Sequence, residues 1–190
     1  MTETIKTTAE RPLRRRDRQL TEDEALQIVR HAPHAVLSTA DAAGVPYGVP
    51  VNAVYAEGNV YWHGTFMKSR KGDNIDANPK VSLCFVAYEA VDVPAYSVNY
   101  ASAVLEGTAS RITDARERKE AALLICAQHV PGLSAEQNSA YYDREGDTVE
   151  VWKMTVTRIS GKSRGWDKIK PLCCVRSGGR PGLFGELRQC

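Results

Sequence analysis

Residues 61–75 read YWHGTFMKSRKGDNI. A strand-like apolar run ends at Trp62, His63 and Gly64 follow, and Lys68, Arg70 and Lys71 then place three cations in four positions. Ser69 is suited to cap a short helix running to Asp76, stopped by Asn78-Pro79. With Ser69 as cap, Arg70 and Lys71 fall in the first helical turn. There the helix dipole disfavours a cation by roughly a few tenths of a kcal/mol. An anion docked on the free N–H groups of that turn would offset this cost. Charged hydrogen bonds contribute roughly 1.5–3 kcal/mol each, so three or four reach the scale of micromolar binding, roughly 8 kcal/mol. A solvated loop with an accidental cap accounts for these residues equally well. Neither GxxxxGK[ST] nor GxGxxG occurs, so the stretch is not one of the common nucleotide loops.

The other reactive side chains suggest less. His63 reads as a proton donor, a haem ligand or a packed histidine. His31 and His34 are three apart, but Pro33 lies between them and no carboxylate completes a metal set, so both read as surface residues and no metal is expected. The five cysteines, Cys84, Cys126, Cys173, Cys174 and Cys190, show no zinc spacing. Cys84 and Cys126 lie on apolar faces and read as core. Cys173 and Cys174 read as undirected thiols, which predicts a reducing, cytoplasmic setting. Tyr141, Tyr142 and Trp152 read as packing residues. Trp166 reads either as cover for a ligand or as the start of a tail.

Stepped elements must position these groups. Thr21 and Glu24 form a capping box, and Ala25, Ile28, Val29 and Ala32 follow with helical spacing, predicting a helix ended by Pro33. Strands are predicted over 35–39, 47–55, 60–63, 80–88, 97–112 and 148–159, with turns at 41–44, 57–59 and 146–147. Residues 89–96, with Pro94, read as a loop. Pro46 and Pro50 put their strand at an edge or a bend, and Glu106-Gly107 bends the long strand. Thr113 is expected to cap a helix to His129, and Ser134 with Gln137 makes a second capping box. Strands do not alternate with helices, which disfavours a parallel doubly wound sheet. The pattern fits a mainly β, mostly antiparallel barrel with peripheral helices.

Composition excludes several classes. A chain of 190 residues, 43% apolar, suits one domain with a real core. A net charge of +2 argues against a nucleic-acid surface, and Arg14, Arg15 and Arg16 read as a solvated lead-in. The longest apolar run, residues 121–127, is too short to span a bilayer, and no secretory signal pattern is expected. The division read from the sequence is a basic lead-in over 1–18, a domain over 19–165 and a tail over 166–190.

Several ordered motifs together carry a family resemblance over about residues 14–165. Residues 60–86, VYWHGTFMKSRKGDNIDANPKVSLCFV, resemble the phosphate-binding segment of the pyridoxamine 5'-phosphate oxidase-like FMN-binding split-barrel flavoproteins. The DRQLT, AVLST, PYGVPVN, NYAS and ISGK segments, at 17–21, 35–39, 46–52, 99–102 and 159–162, resemble the nitroimidazole resistance protein branch. The resemblance implies a six-stranded antiparallel split β-barrel and a homodimer with two FMN sites at the subunit interface. It implies that Ser69, Arg70 and Lys71 hold the FMN phosphate, with Asn74 nearby. The backbone of Val51, Asn52, Ala53 and Val54 would run along the isoalloxazine, Thr39 would approach the ribityl chain or ring, and His63 and Gly64 would sit beside the flavin. Asn99, Tyr100 and Ser102 would reach over from the other subunit. The implied activity is flavin-dependent oxidoreduction of a small organic acceptor, a nitroaromatic among the candidates, with a nicotinamide as transient donor and His63 as proton donor. Non-catalytic flavin, deazaflavin or haem binding is the alternative, and an interaction domain without cofactor a third. Thr65-Phe66-Met67 departs from the nitroimidazole-type branch and resembles the oxidase type. The C-terminal arginine and histidine signature of true pyridoxamine phosphate oxidases is not recognisable, so that activity is not expected.

Overall fold

The computed structural model describes residues 12–65, 68–130 and 132–175, with backbone alone at 147 and 171–175. Phe66, Met67, Cys190, the first eleven residues and the glycine-rich end lie outside the described residues. A short 3-10 turn, Arg16–Arg18, leads into β1 (Gln19–Leu20) and α1 (Glu22–His31). Here Arg15 pairs with Asp17 at 2.6 Å. Then come β2 (Ala35–Ala40), β3 (Pro46–Val51), β4 (Ala53–Ala56), β5 (Asn59–Thr65), α2 (Arg70–Ala77), β6 (Lys80–Asp92) and β7 (Ser97–Arg111). The chain continues through α3 (Ala115–His129), α4 (Ala135–Glu145), β8 (Val149–Arg164) and α5 (Trp166–Val175). No helix among the described residues is long and apolar enough to cross a membrane.

The strand order is β3-β2-β6-β7-β8-β5-β4, every pairing antiparallel, with β1 added on β8. The strands at the two ends of that path, β3 and β4, are separated in sequence by Asn52 alone. A flat sheet would put them about 29 Å apart, six gaps of about 4.8 Å. One intervening residue spans roughly 7 Å at most. The sheet must therefore curl until its ends meet. β3 pairs with β2 and β4 with β5, and the ends are joined covalently rather than by a ladder. This is a split barrel.

The expected strand count of six is corrected to eight. The predicted strand over 47–55 breaks at Asn52, where the chain leaves one sheet end for the other, and the short β1 is added. The loop expected at 89–96 is also shorter: β6 runs on to Asp92, because β7 continues to pair with it through Asp92↔Ser97. Asp114, not Thr113, caps α3, its carboxylate accepting from Glu117 N at 2.8 Å. The capping boxes at Thr21/Glu24 and Ser134/Gln137 are present. The bend expected at Glu106-Gly107 is a register shift in the β7–β8 ladder.

Inside the barrel, Leu37, Val60, Trp62, Leu83, Phe85, Leu105, Trp152 and Met154 form one cluster, closed by Ile28 and Val29 of α1. The inward residues of β6 are Val81, Leu83 and Phe85, as the alternation predicts. Ile169 of α5 joins the same core at 2% exposure, so ordered structure continues past residue 165. Trp166 packs on that core, and its indole N–H donates to Glu24 Oε1 at 2.8 Å. It therefore ties α5 to α1.

Candidate functional site

α2 is built locally and docked by three buried groups. Ser69 Oγ accepts from Gly72 N at 3.3 Å, and Asp73 N donates to Ser69 O at 2.9 Å to open the helix. Ile75 enters the core. Gly72 is buried against Trp152: a Cβ there would lie 3.3 Å from the indole ring. Asn74 Nδ2 donates to Thr39 Oγ1 at 2.9 Å, and Thr39 Oγ1 donates to Tyr47 O at 3.2 Å. Thr39 and Asn74 are each 4% exposed. As placed here, these two hold α2 to β2 and β3.

The start of α2 consequently straddles the split. Arg70 turns toward the β3 side, its guanidinium 4.7 Å from the Tyr47 ring centroid. Lys71 turns toward β5, where a Cβ on Gly64 would meet its Nζ at 3.2 Å. Gly64 thus leaves the space in which the ammonium lies.

Below this helix end is a cleft of about 580 Å³. Val49, Pro50, Val51 and Asn52 form one wall, at the crossover between the sheet ends. His63, Lys71 and His34 line the rest. Among the described residues no carboxylate lines it. The imidazole of His63 is open to the cleft, yet enough protein surrounds it that burial, reinforced by the charge of Lys71, holds its pKa below the ordinary histidine value. A neutral imidazole beside an ammonium is the result.

A second hollow of about 310 Å³ flanks the other side of the same helix start. It contains Lys68, Ser69 and Arg111, but also Asp73, Asp76 and Glu150. Arg111 is committed: it pairs with the buried Glu150 and with Asp76 at 3.1 Å, and its guanidinium lies 4.6 Å from the Trp152 ring centroid. Three carboxylates against two cations make this side unfavourable for an anion. The electrostatics assign any bound anion to the Lys71 side.

The structure thus gathers Val51, Asn52, His63 and Lys71 at one cleft, with Gly64 beside the Lys71 ammonium, whereas Arg70 lies over Tyr47 and Ser69 lines the hollow on the other side of the helix start. Ala53 and Val54 begin β4 immediately beyond the crossover, and His129 Nε2 lies 3.1 Å from Ala53 O. Asn99, Tyr100 and Ser102 lie elsewhere, on β7. Asn99 Oδ1 accepts from Arg164 at 3.2 Å, and Lys162 Nζ sits 6.0 Å from the Tyr100 ring centroid. None of the three lines the cleft of its own chain. His34, which the sequence reads as a surface residue, joins the cleft, as do Val49 and Pro50, which the sequence does not name as site residues. The available signal was weak: His34 is an exposed residue beside a proline, and only the curl of the sheet carries it to His63.

The donor set fits a phosphate-tailed planar cofactor. Lys71 offers a donor to an anion, Val49 to Val51 offer an apolar wall, and the crossover backbone at Asn52 supplies amide groups outside the ladder.

Comparison with known proteins bears on the fold and the family. Among curated proteins no sequence match is found. Among solved structures, the chain is similar to a protein assigned to 5-nitroimidazole antibiotic resistance from Bacteroides thetaiotaomicron, with a TM-score of 0.62 and 22% identity over 76% of this chain and 85% of that one. It is similar to the flavocytochrome Anf3 from Azotobacter vinelandii, with a TM-score of 0.66 and 19% identity over 83% and 74% of the two chains. The FAD and haem binding protein from Mycobacterium smegmatis gives a TM-score of 0.60 and 19% identity over 82% and 80%. At these identities the likeness establishes the fold. The family model for pyridoxamine 5'-phosphate oxidase matches residues 21–163, three quarters of the sequence. The chain therefore belongs to the pyridoxamine 5'-phosphate oxidase family.

Proposed function

We propose that the protein is an FMN-dependent oxidoreductase that reduces small organic acceptors, nitroaromatics of the 5-nitroimidazole type among them. One observation carries this reading. The α2 start, with Lys71, and His63 converge on a cleft at the barrel split that no carboxylate lines among the described residues. Lys71, Ser69 and the first-turn amides of α2 would hold the phosphate, with Arg70 adjoining. The backbone of residues 51–54 would serve the polar edge of the ring. Bound FMN would supply two-electron exchange between a nicotinamide donor and the acceptor. His63, kept neutral, would hold a hydrogen bond to the acceptor and deliver a proton drawn from solvent. With no dinucleotide fingerprint in the sequence, the nicotinamide would visit rather than reside.

The proposal includes a homodimer. The outer face of the sheet carries a row of small and apolar residues in register, Pro50, Val36, Cys84, Val104 and Ser160. No helix is needed to cover them if a second copy does. The free thiols of Cys84 and Cys126, both pushed up in pKa by burial, suit a cytoplasmic protein.

An absorbance spectrum of the purified protein, release and identification of the chromophore, and titration with FMN test the reading. Flavin bands and micromolar or tighter FMN binding are expected. Colourless protein that ignores added FMN overturns it. His34 and His63 facing one cleft favour haem as the second reading, with an imidazole as axial ligand. A Soret band on reconstitution with haem, with no flavin uptake, would select it.

A further inference from the structure

Glu150 is a buried carboxylate, 6% exposed, for which the reading above has no use. On β8 it stands directly opposite Gly64 of β5, so the two residues address the same face of the sheet. Gly64 is also where the Lys71 ammonium lies, 3.2 Å from the position a Cβ would take. Directly opposed residues hold their Cβ atoms about 4.5–5.5 Å apart, which puts Lys71 Nζ roughly 9 Å at most from Glu150 Cβ. A lysine and a glutamate turning toward one another close such a gap, yet these two are not paired. Among the described residues Lys71 makes no ion pair, and Glu150 goes to Arg111. Arg111 is fixed to that partner from three sides. Its Nη1 binds Glu150, its Nη2 binds Asp76 at 3.1 Å, and its guanidinium lies 4.6 Å from the Trp152 ring centroid. Asp76 belongs to α2, and Glu150 and Trp152 to β8. The fork of the guanidinium thus spans helix and sheet, which a lysine's point charge would not do.

We infer that Arg111 is a positioning residue for the anion site: it holds Glu150 on the far side of the α2 start and so leaves the Lys71 ammonium free to face the cleft. This rests on the cofactor-binding reading above. Arg111 and Glu150 line the hollow on one side of the helix start, and Lys71 lines the cleft on the other. Without Arg111, Glu150 would be a buried charge with no partner, a costly state that the structure relieves by recruiting another cation. Lys68 also lines that hollow, but it is exposed, whereas Lys71 already lies against Gly64, directly opposite Glu150 in the sheet. Lys71 would turn past Gly64 onto the carboxylate, and the cleft would lose its cation. Arg111 touches neither the cleft nor anything bound in it. Its effect on binding runs through Glu150 and Lys71 alone.

The experiment titrates FMN into the full-length wild type, Arg111→Met and Arg111→Met/Glu150→Gln, and solves the ligand-free crystal structure of Arg111→Met. Arg111→Met is expected to lose roughly the ten- to hundredfold in affinity that Lys71 supplies. Its structure is expected to show Lys71 Nζ in hydrogen-bond contact with Glu150. Removing the carboxylate as well should restore FMN affinity to within about threefold of wild type, a rescue that a merely structural role for Arg111 would not give. Wild-type affinity in Arg111→Met, a double variant as weak as the single one, or a structure in which Lys68 takes Glu150 while Lys71 still faces the cleft would overturn the inference. Should Arg111→Met fail to fold, the double variant, which leaves no buried charge without a partner, still decides: lost affinity there means that Arg111 does not act through Glu150. Wild-type protein that ignores FMN would sink the cofactor reading, and the ligand-free structure would still test where Lys71 goes. FMN binding untouched by Arg111→Met would do the reverse.

Discussion

Lys71→Ala removes the one lysine or arginine that lines the main cleft among the described residues. The fold should tolerate it. The Ser69 cap, the Gly72–Trp152 packing and the Asn74–Thr39 hydrogen bond all remain, and alanine is the better helix former. Its effect should therefore fall on binding. A hydrogen bond to a charged group contributes roughly 1.5–3 kcal/mol net. At about 1.4 kcal/mol per factor of ten, that is a loss of roughly ten- to a hundredfold in FMN affinity. The cleft is open, so water screens the interaction and the lower half of that range is the better expectation. The same openness makes the loss shrink at high salt, where charges are screened beyond a few ångströms. Quenching of flavin fluorescence on titration measures it, with Lys71→Arg retaining most of the affinity. A second readout needs no ligand. Burial and Lys71 together depress the His63 pKa, so its NMR titration midpoint should move upward in the variant, though not all the way to the ordinary value. An FMN dissociation constant within twofold of wild type at low salt, together with an unmoved His63 titration, would refute both the anion site and the proximity on which it rests.

Two further outcomes follow from the geometry. Gly107→Ala should destabilise the protein by about 1–3 kcal/mol or more, because its Cβ would lie 2.1 Å from Thr155 O and 2.9 Å from Met154 Cγ at the β7–β8 register shift. An unchanged urea midpoint would contradict it. His63 makes ligand-free stability depend on pH. Its folded pKa is below its unfolded value near 6.5, so the unfolded chain binds more protons as pH falls below that value. Stability should therefore drop as pH falls through 6.5 toward the folded pKa and be indifferent to His63 above it. His63→Gln should flatten this trend, and a variant that keeps the wild-type pH profile would show that His63 is not its source.

What the sequence disclosed was local. Ser69, Thr21 with Glu24 and Ser134 with Gln137 announce helix starts because a cap is a contact within four residues. The alternation of Val81, Leu83 and Phe85 discloses a strand because one face of it is buried. What it hid depended on pairing over long separations. The break at Asn52 has no local signature, since it exists only because the residues before it pair with β2 and those after it with β5. The extension of β8 to Arg164 carries polar residues that β7 supports through Ser102↔Lys162 and Ala101↔Ser163. Arg111 reads as one more charge at the end of a strand. Its partners, Asp76 and Glu150, are 35 and 39 residues away.

The location of the cleft follows from the topology. A barrel whose end strands are joined by one residue, without a shared ladder, has a seam where backbone N–H and C=O groups face outward. Buried amides left without partners are costly, and the chain deals with the seam piecemeal. The two prolines of β3, Pro46 and Pro50, remove donors from that edge. His129 lies on the carbonyl of Ala53, and the start of α2 closes the top. The opening that remains has amide groups along one side, an apolar wall, and a cation with a helix dipole at one end. A planar molecule with a polar edge and an anionic tail satisfies all three features, and a ligand lacking either the edge or the tail leaves one of them unmatched. The proposed binding at the split would thus be a consequence of how the sheet closes, with His63 and Lys71 tuning a cleft that the strand order has already placed.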